Sequence, residues 1–100
     1  MAAYLVLMQQ IDDVERYRNE YLPGIGPFLQ KHDAEVLVAS FGADSAEGEP
    51  PNSTVVIRFP NLDKAWGFLN DPEYQPLREI RRSTTSRVQM VIAPEWSSAG

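Results

Sequence analysis

Four stretches of the chain are rich in apolar and β-branched residues over about six positions each, which predicts four β-strands. These strands cover residues 4–9, 35–41, 54–59 and 87–93. In the first strand both alternating sets of side chains are apolar, with Tyr4, Val6 and Met8 in one set and Leu5 and Leu7 in the other. A strand of this pattern is expected to be covered on both of its faces.

Apolar residues at helical spacing follow the first strand and predict a helix that ends near His32. Asp12 and Asp13 open this helix, since negative charge is favourable at the positive end of a helix. Pro23 and Pro27 predict a kink or a break in its middle, because proline removes a helical hydrogen bond. The buried stripe is expected to contain Val14, Tyr17, Tyr21, Ile25, Phe28 and Leu29.

A second helical region follows the third strand and is predicted to be split in two by a turn. Asn61 is a favourable N-cap for the first part, and Trp66 is on the apolar face that follows. Asp71 caps the turn with Pro72 at the first helical position, or the helix begins at Pro76. One face of this last helix is expected to carry Tyr74, Leu77, Arg78 and Arg81.

The element order β-α-β-β-α-β predicts an α+β fold of the ferredoxin-like type, a four-stranded antiparallel sheet with the helices on one face. The other face of this sheet would also be apolar, and a monomer would expose it to water. We therefore expect a homodimer in which two sheets pack face to face. A single domain is expected at residues 1–95, followed by a flexible tail at 96–100.

Composition narrows the classes of partner. The net charge of −5 argues against nucleic acid and anionic membranes, because phosphate groups are bound by clustered Lys and Arg. No segment has the basic flank of a signal peptide or the apolar length of a membrane helix, so we expect a cytoplasmic protein. The chain has no cysteine and a single histidine, and we expect neither a metal nor a cofactor.

Several segments together resemble one known family. They are Tyr4-Leu5-Val6, Tyr17 and Tyr21, Val36-Leu37, the strand from Val55 to Pro60, and Asp71-Pro72-Glu73-Tyr74-Gln75 with Arg78. This set is similar to the family of domains of unknown function numbered thirteen-thirty, within the dimeric α+β barrel superfamily, over about residues 3–95. The resemblance implies a ferredoxin-like protomer and a homodimer, and it implies no established activity. Relatives in the superfamily include cofactor-free monooxygenases, muconolactone-type isomerases, haem-handling enzymes and stress-responsive barrels.

The chain departs from the pattern of that family at two turns. Asp33 and Ala34 stand where the family usually has a pair of glycines, and Pro76 stands where it often has a small residue. Both differences concern the local geometry of a turn, so the predicted fold stays the same.

Arg58 is the one charged residue inside an otherwise apolar strand, and a buried arginine needs a partner or a ligand. We expect Arg58 in a cavity between sheet and helices, where its guanidinium would bind a carboxylate or an enolate oxygen. A structural ion pair with Glu73, Glu79 or another acidic residue is the alternative interpretation. The ligand-binding set would be completed by Trp66, Tyr74, Arg78 and Tyr21, with Tyr17 nearby.

The aromatic and basic residues of this set also have simpler interpretations. Most inward aromatic stripes are core, although a buried tyrosine hydroxyl needs a hydrogen-bonding partner. Four of the nine basic residues lie between positions 78 and 87. This cluster permits an anion site near the last predicted helix and equally permits ion pairs between subunits.

Three functions stay open at this level. The leading one is a cytoplasmic homodimer that binds a small, anionic organic molecule. The second is a cofactor-independent isomerase or monooxygenase, in which His32, Tyr17 or Tyr74 moves a proton and Arg58 stabilises an oxyanion. His32 could instead simply end the first helix, where a cation suits the dipole. The third is a subunit-association module without ligand, which requires a paired Arg58 and no cavity.

Overall fold

The computed structural model describes residues 1–97, and within them the chain forms strands and helices in the predicted order. The strands are β1 (Ala3–Ile11), β2 (Glu35–Ser40), β3 (Ser53–Phe59) and β4 (Thr85–Pro94). The helical segments are α1 (Val14–Arg16), a π-helical turn (Tyr17–Tyr21), α2 (Leu22–Lys31), α3 (Leu62–Asn70) and α4 (Gln75–Thr84). Of the tail predicted at 96–100, residues 98–100 lie outside the described residues.

The four strands form one antiparallel sheet in the order β2-β3-β1-β4. The two central strands, β1 and β3, pair from Ala3 opposite Phe59 to Gln9 opposite Ser53. This topology confirms the ferredoxin-like α+β fold. The helices cover one side of the sheet only, and no helix within residues 1–97 covers the other side, which is here called the open face.

The alternation of β1 shows which side chains belong to each face. Its odd-numbered residues are buried under the helices, and its even-numbered residues are only half-buried on the open face. The core therefore lies between sheet and helices, and Leu5, Phe59, Phe68 and Tyr74 are among its fully enclosed members. On the open face a row of valines crosses all four strands: Val38, Val56, Val6 and Val91.

The predicted helix start at Asp13 and the predicted N-cap at Asn61 are both confirmed, and each side chain accepts a hydrogen bond from the backbone three residues later. The Arg16 backbone N–H donates to Asp13 Oδ1 at 3.1 Å, and the Lys64 N–H donates to Asn61 Oδ1 at 2.8 Å. Asp71 closes the next turn by accepting the Glu73 N–H at 3.0 Å. α4 then begins at Gln75, so the later of the two predicted starts is the observed one.

The break expected near Pro23 and Pro27 is not where the first helical region is irregular. α2 runs through Pro27, and the irregularity is the π-helical turn that precedes it. Regular α-helix starts again at Leu22, directly after the π-helical turn, and Pro23 follows as the second residue of α2. The wide turn therefore moves the irregularity upstream and onto Tyr17 and Tyr21.

The two positions that depart from the family pattern are both accommodated. Asp33 has φ of 56°, the left-handed conformation that glycine adopts after many helices, and Asp tolerates it better than most residues. The Ala34 N–H donates to the Leu29 carbonyl at 2.8 Å and closes the end of α2. Pro76 lies in the first turn of α4, where proline is well suited.

Candidate functional site

A cavity of about 200 Å³ lies between the helix-covered side of the sheet and the helices. The sheet supplies its floor through the inward residues of β1 and β3, and the helical segments supply the roof. Most of its walls are apolar, formed by residues such as Leu5, Leu7, Val55, Ile57, Ile25 and Phe68. On the side of β2 and α2 the wall includes the partly exposed Leu22, Val36 and Phe41, which form its rim.

Three tyrosine hydroxyls are the first polar features of this cavity. The π-helical turn directs Tyr17 and Tyr21 inward with their ring centroids 5.0 Å apart. The turn before α4 contributes Tyr74, whose hydroxyl lies 2.8 Å from that of Tyr21. Tyr74 is held in place by Phe68, with 4.6 Å between the two ring centroids. Tyr21 and Tyr74, two members of the expected ligand-binding set, thus both lie on the wall of this cavity.

Arg81 is the second polar feature, and it is the only charged side chain on the cavity wall among the described residues. It projects from α4, is 4% exposed, and donates from Nη1 to Gln9 Oε1 at 3.1 Å. Gln9 donates in turn to the Tyr17 hydroxyl at 3.3 Å. Within residues 1–97 no carboxylate pairs with Arg81, and its Nε has no hydrogen-bonding partner.

Burial affects the acidity of two of these tyrosines. It raises the pKa of the Tyr17 hydroxyl and raises that of Tyr21 well above the usual range. A tyrosine hydroxyl is ordinarily protonated at neutral pH, and the raised pKa reinforces this, so both hydroxyls have a proton to donate. A cavity with apolar walls, neutral donors and one buried guanidinium can hold an apolar molecule that carries an anionic group.

Arg58 does not lie in this cavity, which corrects the location expected for it. Residues of β3 with odd numbers, such as Ile57 and Phe59, face the helices, so Arg58 projects onto the open face and is exposed. Its neighbours across the strands are Tyr4 on β1 and Glu35 on β2. Among the described residues Arg58 forms no ion pair, so the predicted contact with Glu73 or Glu79 is absent there as well.

Trp66 and Arg78 are also outside the cavity, although both were expected in it. They line a separate depression between α3, α4 and the edge strand β4. Arg78 Nη1 donates to the Leu69 carbonyl at 3.1 Å, which ties the start of α4 to the end of α3. The residues expected in one binding set therefore lie in three places. Arg58 is on the open face, and Trp66 and Arg78 are in the depression beside β4. The tyrosines line the cavity.

His32 is placed away from the cavity, at the end of α2. Its Nε2 lies 2.8 Å from Asp71 Oδ2, and the same oxygen accepts from Lys31 Nζ at 2.8 Å. These contacts, first that of Lys31 and then that of His32, hold the pKa of Asp71 well below its usual range. The position matches the simpler interpretation, in which His32 ends the helix and joins it to the turn at Asp71.

Sequence reasoning missed Gln9 and undervalued Arg81. Two signals pointed to them: Gln9 has the same parity as Leu5 and Leu7 in β1, and Arg81 is seven positions after Tyr74 on one helix face. A polar residue in the inward set of a strand needs a partner inside the protein. Here that partner is Arg81.

Two further properties concern the described residues as a whole. Residues 1–97 contain no group of three or more His, Cys, Asp or Glu side chains that could hold a metal ion. They also contain no helix that is both long enough and apolar enough to cross a lipid bilayer. The fold and the cavity together define a ferredoxin-like α+β protein with an arginine in an apolar interior.

The chain belongs to the family described as "Domain of unknown function (DUF1330)", whose model matches residues 2–95. This match confirms the family that the sequence resembles. No curated protein matches the chain.

Solved structures with low sequence identity share the fold. A protein of unknown function from Rhodopseudomonas palustris has a TM-score of 0.76 at 11% identity, covering 96% of this chain and 83% of its own. A hypothetical protein from Arabidopsis thaliana has a TM-score of 0.69 at 11% identity, covering 96% and 90%. A dimeric protein of unknown function with a ferredoxin-like fold, from Bacteroides fragilis, has a TM-score of 0.59 at 22% identity, covering 94% and 95%.

Proposed function

We propose that this protein binds a small organic anion in the cavity between sheet and helices, with the anionic group on Arg81. The observation that carries the proposal is the burial of Arg81 on an apolar cavity wall without a carboxylate partner among the described residues. The leading function predicted from the sequence is kept, and its anchoring cation changes from Arg58 to Arg81.

The physical chemistry of buried charge supports this assignment. An ion removed from water loses several kcal/mol of solvation, and only a counter-charge with good hydrogen-bonding geometry offsets the loss. Gln9 supplies one neutral acceptor to a group with five N–H donors. A carboxylate in the cavity would supply both the missing charge and two acceptor oxygens in the planar geometry that a guanidinium matches.

The volume of the cavity limits the size of the ligand. An apolar cavity of roughly 150 Å³ holds one benzene molecule, so a cavity of about 200 Å³ has room for one ring and a small substituent. Tyr21 and Tyr74 supply hydroxyls for a second polar atom on that ligand. The ligand class is therefore a single-ring or short-chain carboxylic acid, of which benzoate is the simplest probe.

We further propose that two protomers associate through the open face, in a homodimer. The row of Val38, Val56, Val6 and Val91 is apolar across the whole sheet, and Val91 is 57% exposed in the protomer. A continuous apolar surface of this kind on a sheet is typical of an interface. The Bacteroides fragilis protein with the same fold, described as dimeric, is consistent with it.

Ligand binding is tested by thermal unfolding of the protein with and without benzoate and related single-ring acids. A ligand at one hundred times its Kd adds about 2.7 kcal/mol to the stability of the folded state. Arg81→Met is expected to abolish the stabilisation, whereas Arg58→Met, on the opposite side of the sheet, is expected to keep it. A shift that is lost in Arg58→Met and kept in Arg81→Met would refute the assignment of the anchor.

The homodimer is tested by sedimentation equilibrium of Val6→Glu and Val91→Glu. Each variant places a charge in the middle of the open face, and both are expected to be monomeric while keeping their secondary structure. Val14→Glu in α1 is the matched control, on the helical side of the sheet. Val14 was expected in the buried stripe of the first helix, but it is 41% exposed in the structure, because α1 ends before the chain turns onto the core. A wild-type protein that sediments as a monomer would refute the proposed homodimer.

The two alternatives from the sequence are affected differently. A subunit-association module requires a paired Arg58 and a filled interior, and the structure has neither among the described residues. An enzymatic role for Tyr17, Tyr74 or His32 stays a prediction, as does a cytoplasmic location. The raised pKa of the Tyr17 hydroxyl, and the position of His32 outside the described lining of the cavity, favour binding over proton abstraction.

A further inference from the structure

The depression that contains Trp66 and Arg78 is separate from the cavity and has its own chemistry. It measures about 370 Å³ and lies between α3, α4 and the edge strand β4. Its walls include three arginines, Arg78, Arg81 and Arg82, and the apolar side chains Val88 and Ile92. We call this depression the α4 groove. Arg81 lines both the groove and the cavity, so it stands between them.

The positive charge in the α4 groove is poorly compensated. Of the three guanidiniums only that of Arg82 has an ion pair among the described residues, with Glu79 at 3.6 Å and with both side chains exposed. Exposed pairs of this kind contribute about 0–1 kcal/mol. Burial, followed by the positive charges of Arg82 and Arg81, lowers the pKa of Arg78. An anion bound in the groove would offset the repulsion among these positive charges.

Unsatisfied hydrogen bonds give an independent indication of a ligand. Arg78 Nε and Arg81 Nε are buried, and neither has a hydrogen-bonding partner. They are the two buried side-chain atoms without partners in the described part of the chain; Arg78 lines the α4 groove alone, whereas Arg81 lines both the groove and the cavity. Buried donors in folded proteins nearly always have a partner, so acceptor oxygens are the group that this site lacks.

We propose that the α4 groove binds a phosphate monoester carried on a planar ring, with the phosphate held by Arg78 and Arg82 and the ring against Trp66. A phosphate monoester carries about −1.5 to −2 charges at neutral pH, which matches several guanidiniums better than a single carboxylate does. Trp66 is 50% exposed on the groove wall and offers an indole surface for stacking. Aryl phosphates and mononucleotides share this chemistry.

The residues proposed to hold the phosphate and the ring are distinct from the residues that line the cavity. The groove uses Arg78, Arg82 and Trp66, none of which lines the cavity. Val88 and Ile92 project on the helix side of β4, opposite to Val91 of the open face. A homodimer formed through the open face would therefore leave the groove accessible.

Trp66 fluorescence tests the proposal directly. The chain has two tryptophans, so Trp96→Phe leaves Trp66 as the single reporter in the full-length protein. Titration with phenyl phosphate and with adenosine monophosphate is expected to change the emission of Trp66 in a saturable manner. The ring phosphate with the lower Kd identifies the size of ring that the groove takes. Phenol and inorganic phosphate, which each lack one half of the ligand, are expected to bind more weakly.

Substitutions then separate the groove from the rest of the surface. In the Trp96→Phe background, Arg82→Gln is expected to raise the Kd about tenfold, because one charge-assisted contact is lost. Arg18→Gln removes an exposed arginine outside the groove and is expected to leave the Kd unchanged. Arg82→Gln should also keep benzoate binding in the cavity. The proposals for the cavity and for the α4 groove are therefore tested separately. Equal Kd values in the two variants, or no saturable response to either ring phosphate, would overturn the proposal.

Discussion

The guanidinium of Arg81 and the side-chain amide of Gln9 form a 3.1 Å hydrogen bond between residues 72 positions apart in the chain. Gln9 is fully buried on β1, and its amide continues to the hydroxyl of Tyr17 in the π-helical turn. A short polar network thus joins the sheet, α4 and the first helical region inside an apolar interior. Its one formal charge has no counter-charge among the described residues, which is the basis of the first prediction.

Arg81→Met is expected to leave the free energy of unfolding within about 1 kcal/mol of the wild type, or to raise it. Met has a similar length and removes the buried charge, while the loss of one bond to Gln9 costs about 1 kcal/mol. Urea unfolding followed by circular dichroism measures the difference, with the exposed Arg18→Met as the control. A loss of 3 kcal/mol or more, typical of breaking a compensated buried pair, would show that Arg81 is already neutralised in the free protein.

The hydrogen bond between Tyr21 and Tyr74 predicts a non-additive pair of substitutions. Tyr21→Phe is expected to destabilise the protein by about 1–2 kcal/mol, because the hydroxyl of Tyr74 then stays buried without a partner. Tyr74→Phe is expected to have a similar effect for the same reason. The double variant should lose clearly less than the sum, since neither orphaned hydroxyl remains. A double-mutant cycle of unfolding free energies, measured by chemical denaturation, tests this. Additive losses of stability would mean that the two hydroxyls do not depend on each other.

The lowered pKa of Asp71 leads to a specific prediction for the dependence of stability on pH. Its pKa is held below the usual range by Lys31 and His32, so its contribution is present above the unfolded-state pKa of about 3.9. That contribution is lost as the pH falls from this value toward the folded-state pKa. Asp71→Asn is therefore expected to flatten the fall in stability between about pH 5 and pH 2.

The measurement for Asp71 is urea unfolding at a series of pH values, with Asp44→Asn as the matched control. Asp44 lies in the exposed loop between β2 and β3, so the same charge is removed at a distance from Lys31 and His32. The control should follow the wild-type curve. If Asp71→Asn also followed it, the contacts of Asp71 would not be responsible for the loss of stability in acid.

Asp33→Gly is expected to raise stability by about 0.5–1 kcal/mol. Asp33 has a φ of 56°, which is unfavourable for a residue with a side chain and free of strain for glycine. Its contact with Lys64 at 3.3 Å is exposed and contributes little. Asp63→Gly, in the first turn of α3, is the contrasting control and should lower stability, because glycine disfavours helix there. Thermal unfolding of both variants separates the two effects, and a destabilised Asp33→Gly would contradict this interpretation.

The elements of this fold follow from local features of the sequence. Asp13 and Asn61 cap their helices through bonds to residues three positions later, and such bonds depend only on nearby residue types. The strands follow from short apolar runs, and the order of strands and helices restricts the topology to very few arrangements. These contacts are close in the chain or are dictated by its connectivity, so the fold class was predictable.

The location of Arg58 depended on the tertiary structure. Its opposite parity to Ile57 and Phe59 is visible in the sequence, but both faces of β1 are apolar, so the pattern does not say which face the helices cover. Only the packing of the helices made the side of Ile57 the interior. The same sequence pattern would place Arg58 inside the protein if the helices covered the other face of the sheet.

The sequence by itself determined the α+β fold, the helix caps and the family, because each rests on local pattern or on connectivity. Only the tertiary structure decided that Gln9 meets Arg81, that Tyr21 meets Tyr74, and that Arg78 lies in a groove of its own. These relationships depend on the rotation of a helix about its axis and on its position over the sheet. A rotation of one residue, about 100°, would exchange the side chains that face the cavity, and packing of the whole core selects among such arrangements.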